Sequence, residues 1–186
     1  MNTSANCKRT VRPLYDWEIL EAQKVFGEGL RYDQVRIHEC ATWTNSMDRL
    51  GRKLKGMPAV DINNALTLGN HLYFPVRMLE EAVPVGHSQH YKLGWLIHEL
   101  THAWQFQRLG WRYLWMALSA QFKGKGAAYD FEGEDGLKKR RREAWTLEKF
   151  NLEQQGDIAR TYYDRVCRNM DVTAWQPYVE EFQKTV

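Results

Sequence analysis

The 186-residue sequence has only three cysteines, Cys7, Cys40 and Cys167, widely spaced and with no CxxC pair. That odd, scattered set argues against a disulfide framework or a thiolate zinc site, and it suits a compartment that keeps thiols reduced. The first thirteen residues, MNTSANCKRTVRP, contain no apolar run, so an ordinary secretory signal is missing. No apolar stretch approaches the roughly 20 residues of a membrane span. The formal net charge is only +3, too small to indicate a nucleic-acid partner. The basic run from Lys138 to Arg142 has no interleaved aromatics on which bases could stack, so it reads as a solvated helix face. These absences predict a chain synthesised in the cytoplasm, without a transmembrane segment and without nucleic acid as a partner.

What is present suits one globular unit. Hydrophobic residues make up 44% and charged residues 26% of the chain, with both signs well mixed. A chain this long can bury a core without covalent staples. Residues 1–13 read as a polar tail and residues 14–186 as a single domain.

The periodicities change along the chain. WEILEAQKVF predicts a helix with Asp16 as its cap and Gly27 as its stop. QVRIHEC alternates around Val35 and Ile37 as a strand does. Residues 41–57 read as loop or weak helix, PAVDI as a short strand closed by a turn at Asn63-Asn64, and ALTLGNHLYFP as the clearest strand. From Gln89 the apolar spacing becomes helical and runs to Gly110. WRYLWMALSAQF carries an apolar stripe and KGKGAAYDFEGEDG is a Gly-rich loop. Helices are expected over KKRRREAWTLEKF and over LEQQGDIARTYYDRVC, the latter capped by Asn151, and a broken helix over AWQPYVEEFQK. Strands first and helices after favour an α+β class.

The helical stretch from Gly94 to Gln105 reads GWLIHELTHAWQ. His98 and His102 are four apart, so one helix face can offer both imidazoles to a single ion. Zinc accepts imidazole and leaves a position open when three protein ligands bind it. Glu99 would lie beside that position and take a proton from the water that attacks a polarised carbonyl. The flanking Trp95, Leu96, Ile97, Leu100 and Ala103 would bury this helix, and a buried histidine pair needs partners.

A third ligand must come from elsewhere. His38, His71, His87 and His90 all precede the motif and lack a spacing partner, so each reads as a structural or solvent-facing histidine. Among the downstream carboxylates Glu143, Glu148, Glu153 and Asp157, the pair Glu153 and Asp157 shares a helix face. A zinc-binding glutamate and an aspartate that orients a ligand imidazole would suit that pair. Tyr129, Tyr162, Tyr163 and His71 are open candidates for stabilising an oxyanion.

HELTHAW followed by an E-x-x-x-D helix resembles the gluzincin pattern of thermolysin-like peptidases. That resemblance implies His98, His102 and Glu153 as zinc ligands, Glu99 as base and then acid, and Asp157 as the support of a histidine. A wider likeness joins four blocks: WEILEAQKVFGEGLRYDQVRIHE, ALTLGNHLYFP, HELTHAWQFQ and FNLEQQGDI. In that order they resemble the Vgr-related metallopeptidase family, akin to a core domain of extracellular contractile injection systems. The likeness implies a small zincin-like domain: a short twisted sheet against a mainly helical bundle with the HExxH helix at its centre. It also implies an edge strand beside that helix, whose backbone at Leu68, Gly69 and Asn70 would bind extended peptide. The expectation is a Zn2+-dependent peptidase acting on peptide or protein substrates. A contractile, type VI-like secretion system would supply partner components and delivery. A different reading is a catalytically silent zincin-fold adaptor or structural domain for effector loading, against which an intact Glu99 argues.

Overall fold

The computed structural model describes residues 7–46, 63–110, 112 and 130–185. PAVDI, nearly all of WRYLWMALSAQF and the oxyanion candidate Tyr129 lie outside the described residues. The architecture is mixed α+β. A four-stranded sheet of order β1-β2-β4-β3 comprises β1 (Thr10–Arg12), β2 (Arg36–Glu39), β3 (Leu66–Leu68) and β4 (His71–Tyr73). The β1–β2 and β3–β4 pairs are antiparallel, and β2 and β4 run parallel.

Alternation decides which face of the sheet is buried. Ile37 and Leu72 are fully buried on the inner face, and Thr67, across from Leu72, is buried with them. His38, His71 and Tyr73 occupy the alternate positions and point outward. Five longer helices accompany the sheet: α1 (Asp16–Phe26), α2 (Tyr91–Leu109), α3 (Gly133–Arg142), α4 (Leu152–Cys167) and α5 (Gln176–Phe182). The helix α2 lies at the centre. It packs most extensively on α4 and also touches β3, β4 and α1. Leu93, Leu96, Ile97, Leu100 and Ala103 bury its apolar side, and each large one stabilises the fold by about 1.5–3 kcal/mol.

Several expectations need correction. Thr10–Arg12, expected to belong to a polar tail, form an edge strand because Thr10 and Arg12 have buried partners: both bond the Glu39 carboxylate. ALTLGNHLYFP is a hairpin, not one strand. Gly69 adopts φ +64° as the first of two loop residues between Leu68 and His71, which suits a tight primed turn. Asp16 is the first residue of α1; Tyr15 is the cap, and its N–H donates to Glu18 Oε2 at 2.9 Å. The run KKRRREAWTLEKF is not one helix: α3 starts earlier, at Gly133, and stops at Arg142. Ala144 follows at φ +55°, and a 3-10 turn covers Leu147–Lys149. His90 is the residue before α2 and His87 lies in the turn ahead of it, so neither is on the helix. Cys7 and Cys40 form a disulfide with Cα atoms 5.7 Å apart, which overturns the reading of three reduced thiols. Cys7 precedes β1 and Cys40 follows β2, so the antiparallel pairing brings both to the same end of the two strands across 33 residues of sequence. Cys167 is free.

Candidate metal centre

The centre is built where α2 and α4 cross. Asn151 caps α4 by accepting the Gln154 N–H at 2.9 Å, and Gln154 answers by accepting the Asn151 N–H at 3.1 Å. This capping box fixes the first turn of α4, so Glu153 and, one turn on, Asp157 face α2. Gly156 lets the helices close: a Cβ there would lie 2.7 Å from His98 Cε1.

His98 Nε2 is 3.3 Å and His102 Nε2 3.7 Å from Glu153 Oε2, and one donor atom from each of the three residues lies within 4.8 Å of the others. Donors about 2.0–2.1 Å from a tetrahedral ion stand about 3.3–3.4 Å apart. Two imidazoles and a carboxylate are also a donor set zinc accepts, so the residues fit that ion.

The tautomers follow from the neighbours. His98 Nδ1 lies 3.2 Å from Asp157 Oδ1, which also receives Arg160 Nη2 at 3.0 Å. His102 Nδ1 is 2.9 Å from Gln105 Oε1. The Gln105 amide nitrogen donates to the Leu152 carbonyl and to Gln155 Oε1, both at 2.9 Å, so its oxygen must face the imidazole. Both rings therefore carry hydrogen on Nδ1 and turn Nε2 toward Glu153.

Charge accumulates here. Burial opposes protonation of His98, but hydrogen bonds to Asp157 and Glu153 and the charge of Glu99 outweigh it and push its pKa up to about 10. His102 is moved the same way: burial opposes it, and Glu153 more than compensates. Burial would raise the Glu153 carboxyl, yet the two imidazoles hold it well below the usual carboxylate range. The metal-free cluster thus attracts positive charge. The carboxyl groups of Glu99, Glu153 and Asp157 outnumber the one guanidinium that meets them, Arg160, and a divalent ion would offset the excess.

Glu99 is buried and anchored to the sheet. The Thr67 hydroxyl donates to its Oε2 at 2.7 Å and lies 3.3 Å from its backbone carbonyl. Thus β3 is an edge strand beside the HExxH helix, with Leu68 44% exposed on it. Gly69 and Asn70 form the hairpin turn instead of strand. The Asn70 carbonyl already accepts from Arg36 N at 2.9 Å, and its side chain accepts from Gln107.

The described oxyanion candidates, His71, Tyr162 and Tyr163, are not brought to the centre. His71 sits on the outer sheet face, paired with Leu68, and contacts His38. The Tyr163 hydroxyl donates to Glu21 of α1 at 2.6 Å. Tyr162 is buried five residues beyond Asp157, about 140° round the helix. Sequence reasoning missed Thr67, Gln105, Gly156 and Arg160. Of these, only Gly156 and Arg160 carried a signal, through their places beside the ExxxD pair.

No family model matches the chain. The type VI secretion system spike protein VgrG2b of Pseudomonas aeruginosa is 29% identical over 154 residues, which cover 82% of this chain. The chain spans 13% of that relative's length. A solved structure described as the effector domain of Pseudomonas aeruginosa VgrG2b superposes with a TM-score of 0.52 at 25% identity, covering 92% of this chain and 81% of that one. The Vgr-related likeness read from the sequence is thereby borne out, and with it a link to type VI secretion.

Proposed function

We propose that this chain is a zinc-dependent peptidase domain of zincin type that acts as an effector of a type VI-like secretion system. The observation that carries this reading is the convergence of His98, His102 and Glu153 next to a carboxylate, Glu99, that the Thr67 hydroxyl holds in place. His98, His102 and Glu153 hold the ion, while Asp157 and Gln105 fix the two imidazoles. Bound zinc supplies a Lewis acid at the scissile carbonyl. Glu99 takes a proton from the attacking water and returns it to the leaving amine nitrogen as the carbon–nitrogen bond breaks. The edge strand β3 offers its backbone to an extended peptide. The likeness to an effector domain supports delivery by a secretion system, with peptide or protein as substrate.

A second reading is an adaptor domain on a secretion spike, with metal but no turnover; the likeness to a spike protein favours it. Metal analysis of purified wild type, Glu153→Ala and Glu99→Gln, with a peptide-cleavage assay, separates the two. The peptidase reading expects about one zinc per wild-type chain, loss in Glu153→Ala, and retained zinc with roughly 10²–10⁴-fold lower turnover in Glu99→Gln. Zinc retained in Glu153→Ala refutes the ligand set. Zinc-loaded wild type no more active than Glu99→Gln on a protein-fragment library leaves the adaptor.

A further inference from the structure

Far from the helix pair, the outer face of the sheet brings together two more imidazoles. His38 of β2 and His71 of β4 are 33 residues apart in sequence, yet His38 Nε2 and His71 Nδ1 lie 2.8 Å apart. They are diagonal neighbours on parallel strands, since Arg36 pairs with His71 and His38 with Tyr73. His71 is exposed and His38 half-buried, so solvent reaches the pair. Tyr73 stacks on His38 at 4.2 Å, and Trp43 meets Tyr73 edge-on at 5.2 Å, so aromatic rings wall one side of the pair.

We propose that His38 and His71 form a second metal site, a bidentate imidazole chelate for a late first-row divalent ion that prefers square or tetragonal geometry, copper or nickel. The spacing carries the argument. Two nitrogens 2.8 Å apart, each about 2.0–2.1 Å from an ion, subtend about 86° there. That is the cis angle of a tetragonal site; a tetrahedral zinc would need about 3.3 Å between them. In the hydrogen bond the two nitrogens point at each other. An ion displaces the shared hydrogen and sits to one side of the line between them once each ring has turned by about 45°, and water completes its coordination. Arg36, on the same face, directs Nη1 to the backbone carbonyls of Asp33 at 2.6 Å and Val35 at 2.7 Å, not toward the pair.

The pair also has a mechanical position. It joins β2 to β4, and β4 continues through the Gly69–Asn70 turn into β3, which holds Glu99 through Thr67. An ion bound only by the folded chain stabilises this sheet by mass action.

The test is titration of the full chain with Cu2+, followed by calorimetry and electron paramagnetic resonance, on wild type and on His38→Ala, His71→Asn, His87→Ala and His102→Ala. The expected result is one binding event with nitrogen hyperfine structure that weakens at least tenfold in both His38→Ala and His71→Asn. That event persists in His87→Ala and in His102→Ala, which reports the helix-pair centre separately. If His38→Ala fails to fold, exposed His71→Asn decides alone. Cu2+ binding unchanged in the pair variants, or no event beyond the one His102→Ala removes, overturns the site.

Discussion

Two buried clusters of charge stabilise opposite ends of the sheet, and they differ in one respect. Near β1, Arg12 donates through Nη1 and Nη2 to Glu18 at 2.6 and 2.9 Å and through Nε to Glu39 at 3.2 Å. Thr10 donates to the second Glu39 oxygen and the Tyr15 N–H to Glu18. Every carboxylate oxygen there has a donor from the protein itself. Between α2 and α4 the balance does not close this way. The two imidazoles carry hydrogen on Nδ1 and aim Nε2 at a carboxylate that also needs a donor. Only the second stands out in the sequence, through HExxH and the E-x-x-x-D step; Arg12, Glu18 and Glu39 read as ordinary charged residues. The first cluster closes on its own donors; the second closes only when the imidazoles take up extra protons or a cation enters.

The comparison can be broken by removing one cation from the closed cluster. Arg12→Met leaves Glu18 and Glu39 buried without their partner and should lower unfolding stability in urea by about 3–5 kcal/mol. Zinc content should stay at wild-type level; a loss of zinc would mean that the two clusters are coupled.

The open cluster should respond to chelator instead. With free zinc at a thousandfold its dissociation constant, binding stabilises by about 4 kcal/mol, which a chelator removes. The effect depends on pH. In the metal-free protein the raised His98 pKa gives stability that is complete below 6.5 and lost as pH rises through about 10. The lowered Glu153 pKa gives stability present above 4.5 and lost in acid. The ion competes with the imidazole protons, so zinc affinity rises with pH by about tenfold per unit for each proton displaced. The gap in melting temperature between zinc-loaded and chelated protein should therefore widen from pH 6 to pH 9. A constant gap would remove His98 from the ligand set.

Smaller effects sharpen the picture. Asp157→Asn should weaken zinc binding 10- to 100-fold, measured by competition with a chelating dye. Thr67→Val should reduce turnover by about tenfold while zinc content stays unchanged, the loss of one hydrogen bond to a charged group. Thr67→Ser should restore it. Equal activity in Thr67→Val would show that Glu99 needs no anchor.

The sequence made the local parts of this centre legible. His98, Glu99 and His102 share a helix turn, and the Asn151 cap together with the four-residue step from Glu153 to Asp157 marks α4. These patterns repeat with the helix period, so no long-range information is needed. Long-range partners left no such trace. Gln105 and Thr67 are common residues whose roles depend on what folds against them. The His38–His71 contact and the Cys7–Cys40 disulfide each span 33 residues and follow from strand register. The hairpin at Gly69-Asn70 was read through as one strand because apolar residues continue on both sides. The end of α3 carries no Gly or Pro: Arg142 is followed by Glu143 and by Ala144 at positive φ.

The tight fit of Gly156 under His98 turns a packing detail into a rule for sorting other chains. A single methyl group there would displace the imidazole from the carboxylate it shares with the ion, while the HExxH letters stayed intact. Chains of this shape that keep HExxH and read E-x-x-G-D on the crossing helix keep the room for that imidazole. With a larger residue in place of the glycine, either the ring must turn aside or the two helices must part.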